Sequence, residues 1–88
     1  MKKSKAASEA LRVIARAPFH VYFEGEAHIV SAVNKIGPFD ILPGHADFFS
    51  ILSPSEVIIE SEAKTTTFDI TNGMISVRDN EVLLFINM

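Results

Sequence analysis

Turn chemistry punctuates this sequence at intervals that suit strands and leave little room for helices. Glu24-Gly25, Gly37-Pro38, Pro43-Gly44, Ser53-Pro54, Asn72-Gly73 and Asp79-Asn80 each carry a residue that tolerates positive φ or holds φ close to the proline value. The densest cluster is Gly37-Pro38-Phe39-Asp40-Ile41-Leu42-Pro43-Gly44-His45-Ala46, where two Pro, two Gly and one His bracket a short apolar centre. No ordinary helix accommodates that decapeptide. Segments parted by turns every 8–12 residues or so predict an antiparallel sandwich or a closed barrel.

The segments themselves read as strands. Leu11-Arg12-Val13-Ile14-Ala15 reads better as a first strand than as a turn of helix begun at Ser8, and Pro18 ends that run or makes it an edge strand. Phe19–Phe23 predicts a strand with Phe19, Val21 and Phe23 on one face and His20 on the other. Across 27–33, Ala27, Ile29, Ser31 and Val33 alternate against His28, Val30 and Ala32. Val57-Ile58-Ile59 and Val82–Ile86 are apolar at every position, which predicts cover on both faces. Thr65–Ile70 places Phe68 and Ile70 on one side, and Met74–Val77 makes a further short strand. Asp79-Asn80 reads as a two-residue hairpin joining Met74–Arg78 to Glu81–Ile86, and Ser61–Lys64 as a longer polar hairpin loop. The expected fold is all-β: a flattened antiparallel sandwich or barrel of about 8–10 short strands.

Eighty-eight residues make one domain, able to bury roughly 60–70% of its unfolded surface. A hydrophobic content of 48% places the chain among folded proteins, and the absence of Cys leaves stability to apolar packing. Residues 1–10 read as a flexible tail carrying Lys2, Lys3 and Lys5, and 11–88 as the sandwich. A net charge of −3 argues against nucleic acid as a partner, and every apolar run falls far short of the roughly 20 residues of a membrane-spanning helix.

Nothing in the residues points to catalysis. The three His lie on separate segments without helical metal-ligand spacing, and no Cys completes a zinc site. Glu26 and His28, two apart on one strand face, are the one pair able to touch a metal, and two ligands are too few. The glycines form no phosphate cradle, and Ser31, Ser50 and Ser53 sit in no nucleophile elbow. No catalytic residue, cofactor or metal is expected. His45, aimed by Pro43-Gly44, either pins its loop by bonding a backbone carbonyl or meets a partner. Of the adjacent Phe48 and Phe49, one fills the core while the other faces out, sheltered by a loop or exposed in an interface.

Several landmarks together resemble the N-terminal β-sandwich domain of the ε subunit of F-type ATP synthases, called δ in mitochondria. Phe23-Glu24-Gly25 matches the family's Phe-x-Gly turn. Asp40-Ile41-Leu42-Pro43-Gly44-His45-Ala46-Asp47 matches its Gly-Ile-x-Pro-Gly-His-Ala-Pro loop. Phe48-Phe49-Ser50 and Ser53–Val57 follow in order, and Ile70–Val77 stands where the family has an apolar-x-Gly-Gly stretch. The resemblance implies a non-catalytic subunit at the foot of the rotating stalk, coupling γ to the ring of c subunits in proton- or sodium-driven synthesis. It implies a cytoplasmic position, with the membrane reached only through the complex.

By position, Lys35, Ile36, Gly37 and Pro38 would face the c ring; His45, Phe49 and Ser50 would face γ; Gly25, Pro43, Gly44 and Gly73 would be structural turns. Asp40, Pro38 and Asp47 depart from the family pattern, and Asp40 implies either no need for positive φ or tolerance of it. These departures and the Lys-rich tail also admit a stand-alone β-sandwich adaptor serving another complex. Typical members continue past the position of Met88 into a two-helix hairpin that can brake ATP hydrolysis and, in some bacteria, bind ATP. Titration calorimetry of this chain with ATP is therefore expected to show no binding; a clear isotherm would overturn that domain reading.

Overall fold

The computed structural model describes residues 10–88, so the expected tail at 1–10, with Lys2, Lys3 and Lys5, lies almost wholly outside the described residues. The described chain forms strands only: β1 (Leu11–Ala17), β2 (His20–Ala27), β3 (Ile29–Val33), β4 (Pro38–Ile41), β5 (Phe48–Leu52), β6 (Ser55–Glu60), β7 (Thr65–Ile70), β8 (Asn72–Arg78) and β9 (Glu81–Asn87). They make a five-stranded sheet in the order β2-β1-β9-β8-β5 and a four-stranded sheet in the order β4-β3-β6-β7. Every pairing is antiparallel except β1 with β9. The expected all-β sandwich is the observed fold.

Alternation along each strand explains the layer between the sheets. Leu11, Val13 and Ala15 of β1, Val82, Leu84 and Ile86 of β9, and Ile75 and Val77 of β8 turn inward from the larger sheet. Val30, Ala32, Ile41, Val57, Ile59 and Ile70 meet them from the smaller one. Among the described residues no polar or charged side chain is buried, so this layer is aliphatic and dry. Burying each of the Leu, Ile and Val side chains contributes roughly 1.5–3 kcal/mol, and among the described residues there is no buried charge to offset it.

Aromatic residues close the two open sides. Tyr22 on edge strand β2 meets Phe68 on edge strand β7 with ring centroids 5.8 Å apart. On the other side Phe39 of β4 and Phe48 of β5 stack edge to face at 5.3 Å. Phe48 is thus the ring that turns to the core, which settles the direction of the Phe48-Phe49 pair.

Four expectations change. Glu24-Gly25 lies inside β2, and Asn72-Gly73 inside β8, so neither Gly25 nor Gly73 is a turn residue. Phe19 sits in the two-residue link after β1, and a bulge opposite Ala15/Arg16 breaks the parity of Phe19–Phe23. Val21 consequently faces out beside Arg16, while Phe23 pairs with Ala15 and packs on the core. Val82–Ile86 is covered on one face only, because Leu83 points away from the sandwich into solvent.

Other turn expectations hold. Asp79 (φ 54°) and Asn80 (φ 63°) both adopt positive φ, the signature of a type I′ hairpin. Asp40 needs none: it lies in β4 opposite Ser31, whose hydroxyl donates to Asp40 Oδ1 at 2.7 Å. Ser61–Lys64 closes as a polar loop through Ser61 N–H to the Lys64 carbonyl at 2.9 Å.

Gly73 is required by packing rather than by a turn. A Cβ there would lie 2.5 Å from the Phe85 carbonyl oxygen and 3.2 Å from Ile86 Cγ2, whereas one at Gly25 would meet only the Phe23 ring at 3.8 Å. Gly73→Ala is expected to cost about 1–3 kcal/mol in urea unfolding and Gly25→Ala under about 1 kcal/mol. Equal midpoints for the two variants would refute this assignment.

Candidate functional site

Strand directions give the sandwich two ends. The Lys35–Pro38 segment joins β3 to β4 at one end, together with the Pro18-Phe19 link and the Ser53-Pro54 link. The Pro43-Gly44-His45 loop lies at the opposite end beside the Asp79-Asn80 hairpin.

At the first end, Asn34 organises the loop. Its Oδ1 accepts from Ile36 N–H at 2.9 Å and Gly37 N–H at 3.2 Å, while Asn34 and Gly37 exchange backbone bonds at 3.1 Å. Gly37 takes φ 145°, which favours glycine, and Pro38 opens β4. Lys35 and Ile36 are left exposed. The Asn34 side-chain amide also donates to Ser50 Oγ at 3.1 Å, bridging the two sheets.

At the other end, Gly44 (φ 87°) donates its N–H to Asn80 Oδ1 at 2.7 Å, and His45 N–H donates to the Leu42 carbonyl at 3.1 Å. The His45 ring donates Nδ1–H to the Ala46 carbonyl at 2.8 Å and rests edge-on against Phe48 at 5.6 Å. A carbonyl only accepts, so Nδ1 carries the hydrogen. This bond to the Ala46 carbonyl is the loop-pinning contact open to His45. His45, Phe49 and Ser50 do not form one cluster; they are spread along the margin of β5, with Ser50 tied to Asn34.

The most extensive feature is the outer face of the five-stranded sheet. Register places Ile51, Met74 and Phe85 side by side in one row, continued by Arg16 and Val21. Phe49, Ser76, Leu83 and Ile14 form the next row, ending on Glu24. Phe49 is 60% and Ile51 63% exposed, and Met74 and Leu83 each 38%. Beyond them runs an alternating charge row of Arg78, Glu81, Arg12 and Glu26. Where the apolar rows meet the first end, Ala17, Pro18, Ile51, Met74 and Phe85 line a concavity of about 380 Å³. Phe49 is the only member of this face singled out from sequence. Apolar residues at both parities of β9 were the signal for the others, because such a strand has two faces to cover.

No cluster of three potential metal ligands exists among the described residues. Glu26 lies on β2 while His28 sits at the corner where the chain crosses between sheets, so the two do not share a strand face.

The sequence profile of the ATP synthase, Delta/Epsilon chain, beta-sandwich domain matches residues 10–87. The chain belongs to the ATP synthase delta/epsilon β-sandwich family. Among curated relatives, it is 33% identical over 70 residues to the ATP synthase epsilon chain of Desulforudis audaxviator, covering 80% of this chain and 51% of that one. It is 36% identical over 61 residues to the epsilon chain of Caulobacter vibrioides, covering 69% of this chain and 71% of that one. The chain spans about half the length of the Desulforudis and Ruminococcus albus epsilon chains it matches.

The same fold occurs in a chain of the Euglena gracilis mitochondrial ATP synthase structure of OSCP, F1 and c-ring, with a TM-score of 0.82 at 17% identity, covering 90% of this chain and 51% of that one. A chain of the Tetrahymena thermophila mitochondrial ATP synthase central stalk and c-ring structure gives 0.78 at 17% identity, covering 91% and 65%. In this member of the family the Pro43-Gly44-His45 loop is clamped at Gly44 and His45.

That clamp is testable. Asn80→Gly keeps the positive-φ backbone but removes the Oδ1 acceptor, so the Gly44 amide is expected to exchange with solvent roughly three- to tenfold faster. Unchanged exchange at Gly44 would show that the side-chain bond does not hold the loop.

Proposed function

We propose that this chain is a non-catalytic stalk module of a rotary F-type ATP synthase, coupling the γ subunit to the c ring in proton- or sodium-driven ATP synthesis. It works on the cytoplasmic side and touches the membrane only through the complex. The observation that carries this reading, beside the family membership, is the outer face of the five-stranded sheet, which no other described residue covers. A contiguous apolar area rimmed by charge is the usual mark of a protein-binding surface.

In this reading γ lies on the outer face and the β5 margin, where Phe49 and Ile51 are the most exposed large side chains. His45 borders that area from the end of the margin before Phe48, and Ser50 lies on β5 between Phe49 and Ile51 with its side chain tied to Asn34. Lys35, Ile36, Gly37 and Pro38 face the ring from the first end, held by Asn34. A rigid two-layer body with preorganised loops transmits torque by shape, because its surfaces do not have to order upon contact.

Co-expression with the cognate γ subunit followed by size-exclusion chromatography tests the reading. The unaltered chain is expected to co-elute with γ at micromolar concentration. A Phe49→Asp/Ile51→Asp variant is expected to lose co-elution while keeping its unfolding midpoint, since both residues lie outside the core. Absence of co-elution by the unaltered chain would overturn the stalk role, and full co-elution by the variant would move γ to another surface.

A further inference from the structure

Ser50 is out of keeping with its place in β5. It pairs with Ile75, whose side chain is wholly buried, so Ser50 takes the inward parity between Phe48 and Leu52. A hydroxyl at the margin of an aliphatic layer needs a hydrogen-bond partner. Asn34, at the end of β3 in the other sheet, supplies one: its Nδ2 donates to Ser50 Oγ at 3.1 Å, and Ser50 Oγ donates in turn to the Ile51 carbonyl at 3.1 Å. A second tie keeps these residues side by side. Ser53 N–H donates to the Val33 carbonyl at 2.9 Å, backbone to backbone, whether or not the side-chain bond is made.

The other half of the same carboxamide holds the loop. Asn34 Oδ1 accepts from Ile36 N–H at 2.9 Å and from Gly37 N–H at 3.2 Å. An NH2 group cannot accept from those two donors, so the oxygen must face the loop and the nitrogen must face Ser50. The carboxamide is planar, while the torsion that carries it is soft. Its angle is therefore set from both sides at once: turning the nitrogen away from Ser50 swings the oxygen away from Ile36. The two loop amides depend on that angle unequally. Gly37 N–H also reaches the Asn34 backbone carbonyl at 3.1 Å, whereas Ile36 N–H has Oδ1 alone among the described residues.

We propose that Asn34 is a positioning residue that couples the β5 margin to the Lys35–Pro38 loop, so that a chain seated on Phe49 and Ile51 tightens a loop it does not touch. This rests on the reading that γ lies along that margin. The carboxamide has two arrangements, clasped to Ser50 or released from it, on a frame that the Ser53–Val33 bond holds in either case. Ser50 is half-buried and stands in the chain between Phe49 and Ile51. Cover over those two side chains withdraws water from Ser50 and from the Ile51 carbonyl, and a hydrogen bond strengthens as its surroundings dry. The relay from Asn34 through Ser50 to Ile51 then favours the clasped form, which keeps Oδ1 on the Ile36 amide.

Amide hydrogen exchange, read residue by residue by NMR on the full chain, tests the coupling. In the free chain Ser50→Ala is expected to speed exchange of the Ile36 amide about three- to tenfold and that of Gly37 by less than about twofold, and Ser50→Thr, which keeps the hydroxyl, to restore the Ile36 rate. An unchanged Ile36 rate in Ser50→Ala overturns the proposal. Equal acceleration of Ile36 and Gly37 with a lowered unfolding midpoint does the same, because it marks general loosening. With cognate γ at saturating concentration, Ile36 exchange in the unaltered chain is expected to slow at least about threefold. In Asn34→Asp, which keeps an acceptor for the loop but has no donor for Ser50, γ is expected to leave the rate unchanged. No response to bound γ in the unaltered chain, or a full response in Asn34→Asp, overturns the coupling. Failure of the unaltered chain to bind γ at all is a different result: it removes the stalk reading and γ as the trigger, while the free-chain rates still decide whether Ser50 sets the loop through Asn34.

Discussion

The structure depends on one aliphatic layer, compressed between two sheets and free of polar groups among the described residues. Its members come from every strand, so each strand is held by the register of its neighbours and by the layer beneath it. Slipping a strand by one residue would exchange its inward and outward sets and bring charge into a space with no partner for it. That penalty makes the body rigid as a unit. It also forces every polar or recognisable group to the exterior.

From that constraint the division of labour follows. The interior is filled by Leu, Ile, Val and Ala, while larger rings sit at the open sides, where Tyr22–Phe68 and Phe39–Phe48 bridge edge strands that share no backbone ladder. His45 joins the second of these bridges, so the Pro-Gly-His loop is anchored to the core margin through a ring contact as well as through Asn80. Asn34 and Ser50 tie the opposite end across the two sheets. The same braces that make the loops definite shapes make them suitable for contact with other chains, because little freedom is lost upon docking.

The sandwich was legible because local chemistry and global fold agree along most of the chain. Leu11, Val13 and Ala15 at alternate positions marked β1, turn residues placed the β8–β9 hairpin, and the polar Ser61–Lys64 loop separated β6 from β7. Where the reading departed from the structure, the cause was a tertiary event with a weak local mark. A bulge opposite Ala15/Arg16 reversed the parity of β2, which no count of alternating residues registers. Gly25 and Gly73 resemble turn glycines, yet they lie in strands, and Gly73 is needed only because the Phe85 carbonyl passes so close. The outer apolar face was hidden in the same way: Leu83 and Phe85 read as residues awaiting a second layer, and no layer within the described residues covers them.

What the amino-acid order determined alone was the strand-and-turn character, the inward aliphatic set and the family likeness, because alternation and turn propensity act over a few neighbouring residues. Tertiary structure alone decided which apolar residues assemble into one outer surface and which turns share an end. Those depend on the pairing order β2-β1-β9-β8-β5 and on strand direction, which bring together residues as remote as Ile14 and Leu83. Adjacency across hydrogen-bonded strands is a property of register, and register is settled only when both sheets close over their common core.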